Sequence, residues 1–204
     1  EEVYVWLKKF KIKNFWTTRA SSEKYLWRDL VDLNFKLIEP LLDKKMSVLD
    51  LGAGDCKLAN LISNKVKTIT AVDYIPKHVG VSKRVNYIKS DILNYNIDFV
   101  YDMVILFGVS NSLDDVDINN IYRKIYKIIN KNGILLVKHQ CGITKKVVVK
   151  KLLDGIEYNA TYRTAEQEKE YLRGAGFKVE VFDPYPESEN IWLDTHFKAF
   201  KCKL

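Results

Sequence analysis

The stretch Met46-Ser-Val-Leu-Asp-Leu-Gly-Ala-Gly-Asp55 constrains this chain more than any other. A short apolar run ends in an acid and passes into a turn with Gly52 and Gly54. The run predicts a buried strand, and the turn its exit into a helix. Glycine at both positions lets the backbone approach a ligand closely, where a Cβ would stand in the way. The dinucleotide pattern GxGxxG asks for a third glycine where this chain has Lys57. The pattern is therefore DxGxGxx, which does not build a pyrophosphate cradle of the standard kind.

Further strands follow. Lys67 to Asp73 is a second apolar run closing on an acid. Asp73 lies about 20 residues beyond the glycine turn, where nucleotide folds place the acid that accepts hydrogen bonds from ribose hydroxyls. Val85 to Ile92, containing Asp91, predicts a third strand, Tyr101 to Gly108 a fourth and Gly133 to Lys138 a fifth. Asp55 to Ser63 predicts a first core helix. Asp114 to Asn130 predicts another, because Ile118, Ile121, Ile125, Ile128 and Ile129 fall at helical spacing, with Asn132-Gly133 as its stop. Alternation of strands and helices predicts an α/β fold with a doubly wound, Rossmann-like, mostly parallel sheet. Thr164 with Gln167 three residues on predicts a capping box for a late helix ending at Gly174 or Gly176. Phe177 to Phe182 and His196 to Cys202 alternate in period two and predict a closing antiparallel pair. The segment between them is too long for a tight hairpin.

Ligands in open α/β sheets bind beyond the carboxyl ends of the strands. That rule selects Gly52, Ala53 and Gly54 after strand one, and Asp73 and Tyr74 after strand two. It selects Asp91 and Ile92 after strand three, and Phe107, Gly108, Ser110 and Asn111 after strand four. His139 and Gln140 follow strand five. Asp50 either shapes the glycine turn by accepting backbone hydrogen bonds or meets a ligand's amino group through water.

Acids at the ends of three successive strands, with the glycine turn, resemble class I methyltransferases that use S-adenosylmethionine (SAM). The likeness runs over roughly residues 46–204. It implies SAM as cofactor, Asp91 on the adenine amino group, and Phe107 and Gly108 at the methionine end. Phe-Gly-Val-Ser after strand four departs from the (D/N/S)PP(Y/F) tetrapeptide of amino-directed DNA methyltransferases, which disfavours base N-methylation of that kind. A hydroxyl acceptor needs a base. His139 is the first candidate, because imidazole titrates near neutral pH, and His196 the second. Arg163 could hold an acceptor carboxylate or phosphate with its fork, and Tyr162 and the Trp192 loop could wall the site. Val-Lys-His139-Gln140, Tyr162-Arg163, Asp183-Pro-Tyr-Pro and Trp192 to Phe197 are similar to small methyltransferases associated with bacterial surface-polysaccharide synthesis. That likeness implies a small-molecule acceptor, a sugar or nucleotide-sugar hydroxyl. The alternatives are an RNA or protein methyltransferase, or a non-catalytic SAM-binding module.

The chain's 204 residues suit one domain. Residues 1–45 are expected to form an N-terminal helical cap over the sheet, with Ser21-Ser22-Glu23 opening a helix, and 46–204 the cofactor-binding core. The net charge of +7 is read as solvated surface rather than as a nucleic-acid footprint, although Lys145, Lys146, Lys150 and Lys151 form a dense basic patch. Three scattered cysteines, with no CxxC spacing, predict neither a disulfide framework nor a metal site, and suit a reducing cytoplasm. No apolar run reaches the ~20 residues of a membrane span.

Overall fold

The computed structural model describes residues 30–75, 80–153, 156–186, 191–192 and 194–204. Helix α1 (Val31–Ile38) leads through a short 3-10 turn into β1 (Ser47–Leu51), every residue of which is buried. Burial on both faces is what a central parallel strand requires, and it explains why Val48, Leu49 and Leu51 are apolar irrespective of the face they lie on. The remaining core elements are α2 (Lys57–Ile62), β2 (Thr68–Asp73), β3 (Val85–Lys89), β4 (Tyr101–Phe107) and α3 (Asp115–Ile128). After them come β5 (Ile129–Gly142), the hairpin β6 (Val147–Leu153) and β7 (Ile156–Tyr162), α4 (Ala165–Gly174), β8 (Lys178–Phe182), β9 (Ile191–Trp192) and β10 (Thr195–Lys203).

Among the described residues the main sheet has eight strands, in the order β3-β2-β1-β4-β5-β10-β8, with β9 paired to β10. Neighbours from β3 to β5 are parallel, and β10 is antiparallel to both β5 and β8. The order reverses between β1 and β4, so the crevice of a doubly wound sheet opens above the glycine turn.

Period two along the strands sorts side chains to two faces. Val48, Met103, Ile105 and Leu136 pack toward α1 and α2. Leu49, Leu51, Val104, Leu106, Leu135 and Val137 pack toward α3 and α4. Helix α3 starts where Asp114 accepts from the N–H groups of Val116 and Asp117, and its apolar stripe Ile118, Ile121, Tyr122, Ile125 and Ile128 is buried. Helix α4 starts on the complete Thr164–Gln167 capping box and ends at Gly174.

Three expectations need correction. The turn at Asn132-Gly133 lies inside β5: Ile129 pairs with Tyr101 and Ile134 with Met103, so the residues between form a bulge. Strand five also runs past Lys138 to Gly142, so His139 and Gln140 are strand residues rather than a loop beyond it. Residues 147–162 form a hairpin that the sequence reading missed, and Tyr162 closes its second strand. Its signal was present: Asp154-Gly155 between two runs of strand-forming residues marks a two-residue hairpin turn. Most of the N-terminal cap, with Ser21-Ser22-Glu23, lies outside the described residues.

Candidate functional site

The site is built around the turn after β1. Gly52 has φ +78° and Gly54 φ +55°, conformations that glycine adopts without the strain a side chain adds. The two glycines have different surroundings. A Cβ on Gly52 would collide with Val109 Cγ2, whereas a Cβ on Gly54 would meet no heavy atom of the described residues within 4 Å. Gly52 is therefore needed for packing against the segment after β4, and Gly54 keeps open the space above the turn.

Asp73, at the end of β2, is tied to that turn. Its Oδ2 accepts the Gly54 N–H at 2.8 Å and its Oδ1 the Ile75 N–H at 3.0 Å. These two contacts fix the carboxylate at the mouth of the turn, where nucleotide folds place the acid that meets ribose hydroxyls. Asp50 is 3 % exposed. Burial, with the Asp73 carboxylate adding, pushes its carboxyl up to about 7. Among the described residues no lysine or arginine forms an ion pair with it, so an arriving ammonium would relieve two crowded acids. The buried Tyr74 hydroxyl has no hydrogen-bond partner among the described residues. Burial, then Asp73 and Asp91, raise its pKa. Asp91 accepts the Leu93 N–H at 3.1 Å, which makes it the cap of a turn as well as a strand-end acid. Ile92 is buried in the core. Beyond β4, Gly108 has φ +69°, and its N–H donates to the Lys138 carbonyl at 2.7 Å. Ala53 and Phe107 both pack against the apolar cluster on the α1–α2 face.

These features fit the cofactor implied by the sequence: an open cradle at Gly54, an acid held at the turn, a buried carboxyl suited to a cation and, among the described residues, an orphaned phenol. Asp73→Ala is expected to weaken SAM binding by about 1.5–3 kcal/mol, the range for hydrogen bonds to a charged group. Titration calorimetry measures it, and unchanged affinity would remove Asp73 from the site.

The candidate acceptor groups fall out differently. His139 lies inside β5, 2 % exposed, and period two turns it toward α4, away from the α1 face. Its Nε2 is 3.6 Å from Glu168 Oε2, and its ring stacks on Phe200. Burial lowers its pKa, partly opposed by Glu168, so the imidazole is held neutral inside the core. Glu168 itself accepts from Ser110 Oγ at 2.8 Å and from the Tyr122 hydroxyl. Arg163 is 2 % exposed, and its fork is taken up. Nε donates to Asp115 Oδ1 at 2.8 Å, Nη1 to the Ser110 carbonyl at 3.1 Å and Nη2 to the Leu113 carbonyl at 2.9 Å. It fastens the segment after β4 to the end of the hairpin and is not free to grip an acceptor. His196 lies in β10 opposite Cys141; burial lowers its pKa first, with Lys198 adding and Asp183 opposing. Trp192 ends β9. Of the basic patch, Lys146 pairs with Asp115 at 3.0 Å.

Sequence reasoning passed over Lys138. It is 5 % exposed and shares a face with Phe107, its register partner. Its Nζ donates to Asn34 Oδ1 of α1 at 3.1 Å and to the Tyr185 hydroxyl at 2.9 Å. It lies 5.0 Å from the Phe107 ring centroid, 5.4 Å from Tyr185 and 5.3 Å from Phe197. A lysine closing an apolar strand was the available signal.

A family model described as a methyltransferase domain matches residues 19–164 of the chain. No curated protein matches it significantly by sequence. Among solved structures, the DhpI–SAH complex is similar with a TM-score of 0.76 at 17 % identity, covering 96 % of both chains. A Burkholderia thailandensis 1,6-didemethyltoxoflavin-N1-methyltransferase with bound 1,6-didemethyltoxoflavin and S-adenosylhomocysteine gives 0.76 at 12 % identity, covering 98 % of this chain and 88 % of that one. The glycopeptide N-methyltransferase MtfA gives 0.65 at 14 % identity, covering 88 % and 92 %.

Proposed function

Because this chain belongs to the methyltransferase-domain family and is a SAM-dependent methyltransferase of the class I fold, we propose that it methylates a small polar molecule, a sugar or nucleotide-sugar hydroxyl. The observation that carries this reading is the side-chain cluster beside Phe107. Asn34, Lys138, Tyr185 and Phe197 set aromatic faces and hydrogen-bonding atoms side by side, as a ring bearing several hydroxyls requires. The names of similar structures support a small acceptor: a toxoflavin precursor in one and a glycopeptide in another.

When bound, the cofactor supplies a methyl group on a sulfonium and leaves as a neutral thioether. The chain's own residues do the rest. Asp73 would hold the ribose hydroxyls, Asp91 and Tyr74 the adenosine side, and Asp50 the amino group. Gly52, Ala53 and Gly54 keep the backbone close, and Phe107 and Gly108 border the methionine end. Enclosure by the aromatic wall excludes water and aligns the acceptor oxygen, which is where the rate gain from orientation arises.

The test is a panel of acceptors incubated with SAM, with formation of SAH as the readout. Sugar nucleotides and free sugars are expected to turn over, and short RNAs and peptides are not. Turnover confined to RNA or peptide would overturn the acceptor class, and tight SAM binding with no turnover on any of them would favour a binding module. Among the described residues no helix is long and apolar enough to cross a membrane.

A further inference from the structure

We propose that the Lys138 amine is the base that takes the acceptor's proton during methyl transfer. The inference rests on the methyl-transfer reading above and supplies the group that His139, buried on the opposite face, does not.

The geometry carries it. Lys138 stands on the same face and at the same level as Phe107, the last residue of β4. Gly108, next in the chain, donates its N–H to the Lys138 carbonyl, and Val109, one further on, fills the space against Gly52. The Lys138 backbone is thus joined through two residues to the glycine turn, while its side chain lies beside the Phe107 ring. A neutral amine has two N–H groups and one lone pair. Asn34 Oδ1 and the Tyr185 hydroxyl accept two N–H groups, and the Tyr185 hydroxyl in turn donates to Asn34 Oδ1 at 2.5 Å. That arrangement uses both donors and leaves the lone pair for a proton. The aromatic rings of Phe107, Tyr185 and Phe197 then stabilise the ammonium once it forms.

Electrostatics agrees. Burial alone brings the Lys138 amine down from its ordinary value to about 7, so a large fraction is neutral near neutral pH. The titratable groups around it are the Tyr185 phenol, which burial raises, and His139, held neutral by burial. Lys198, on β10, is paired at 2.6 Å with Asp183, which follows β8. On α1, Asp32 and Lys36 are exposed.

The step balances. The acceptor O–H bond breaks and its proton goes to Lys138 Nζ. The oxygen bonds to the transferred methyl carbon, whose bond to sulfur breaks and leaves its electron pair on sulfur. Positive charge disappears from the sulfonium and appears on the ammonium.

The test uses the intact chain, with SAM and SAH as probes, and needs no acceptor. Lysine side-chain resonances are followed by NMR from about pH 6 to about pH 11 in the wild type and in Lys138→Met, with Lys138→Gln in reserve if the methionine variant does not fold. One resonance, absent from the variant, is expected to titrate near neutral pH, well below the ordinary lysine value near 10.4. In parallel, calorimetry compares SAM with SAH. A protonated Lys138 repels the sulfonium but not the neutral sulfur, so the SAM-to-SAH affinity ratio should rise roughly tenfold from about pH 6 to about pH 9. Asp50 titrates in the same range, and its share persists in Lys138→Met, so the expected result is that most of the rise is lost in the variant. A Lys138 resonance titrating above about pH 9 overturns the proposal. So does the same ratio profile in both proteins while each binds both probes tightly. Failure of the wild type to bind either probe at any pH overturns the methyl-transfer reading, and the proposal with it.

Discussion

Gly54→Val is expected to fold and to lose SAM binding, with affinity down by about 10²-fold or more. Each tenfold is ~1.4 kcal/mol, and displacing a ligand from a filled site by a branched side chain exceeds two such steps. The surroundings of Gly54 separate the two effects. Among the described residues nothing lies within 4 Å of an added Cβ, so the side chain does no damage to packing there. Its φ of +55° costs a non-glycine residue about 1–2 kcal/mol, which a folded domain tolerates. The same open space is where we propose the ligand's methionine portion lies. Circular dichroism and a thermal melt check the fold, and calorimetry checks binding. A folded Gly54→Val protein with wild-type affinity would refute the placement of the turn. Gly52→Ala is the contrasting control, because there the Cβ meets Val109 and the loss should appear in stability.

The second large effect is expected at Arg163. Arg163→Met should destabilise the protein by about 2–4 kcal/mol, because it removes a buried fork and leaves the Ser110 and Leu113 carbonyls without their donor. The ion pair with Asp115, 2.7 Å long but with the Asp115 side chain 45 % exposed, adds little by itself. Burial pushes the Asp115 carboxyl up, but hydrogen bonds from Lys146 and Arg163 outweigh it and hold it below its ordinary value. For a chain of this size the melting temperature should fall by ~2–4 °C for each kcal/mol. Arg163→Lys should recover little, since an ammonium cannot reach three acceptors in the fork's geometry. A variant that melts with the wild type but loses turnover would restore the view that Arg163 grips the acceptor.

The cofactor half of this protein was legible in the sequence because its signals are local. Each strand that ends on an acid carries both its burial pattern and its site residue within a few positions. The switch from period two to period 3.6 at the glycine turn places that residue at the sheet's carboxyl edge. The Thr164–Gln167 box and the isoleucine stripe of α3 were legible for the same reason: the partners are three or four residues apart. The acceptor half was not. His139 reads as a loop base if β5 stops at Lys138. Pairing with β10 carries the strand on to Gly142, and one residue of period two then turns His139 into the core and Lys138 toward α1. Arg163 reads as a free cation until the folded chain brings three acceptors to it from positions about fifty residues away.

By itself, then, the sequence determined the doubly wound sheet, the glycine turn and the acids around it, since each follows from spacing along one strand. Only the tertiary structure decided which cation shares a face with Phe107 and which is spent on holding loops together. That depends on which strand pairs with β5 and how far, and on Asn34 and Tyr185 arriving from distant segments to meet one lysine.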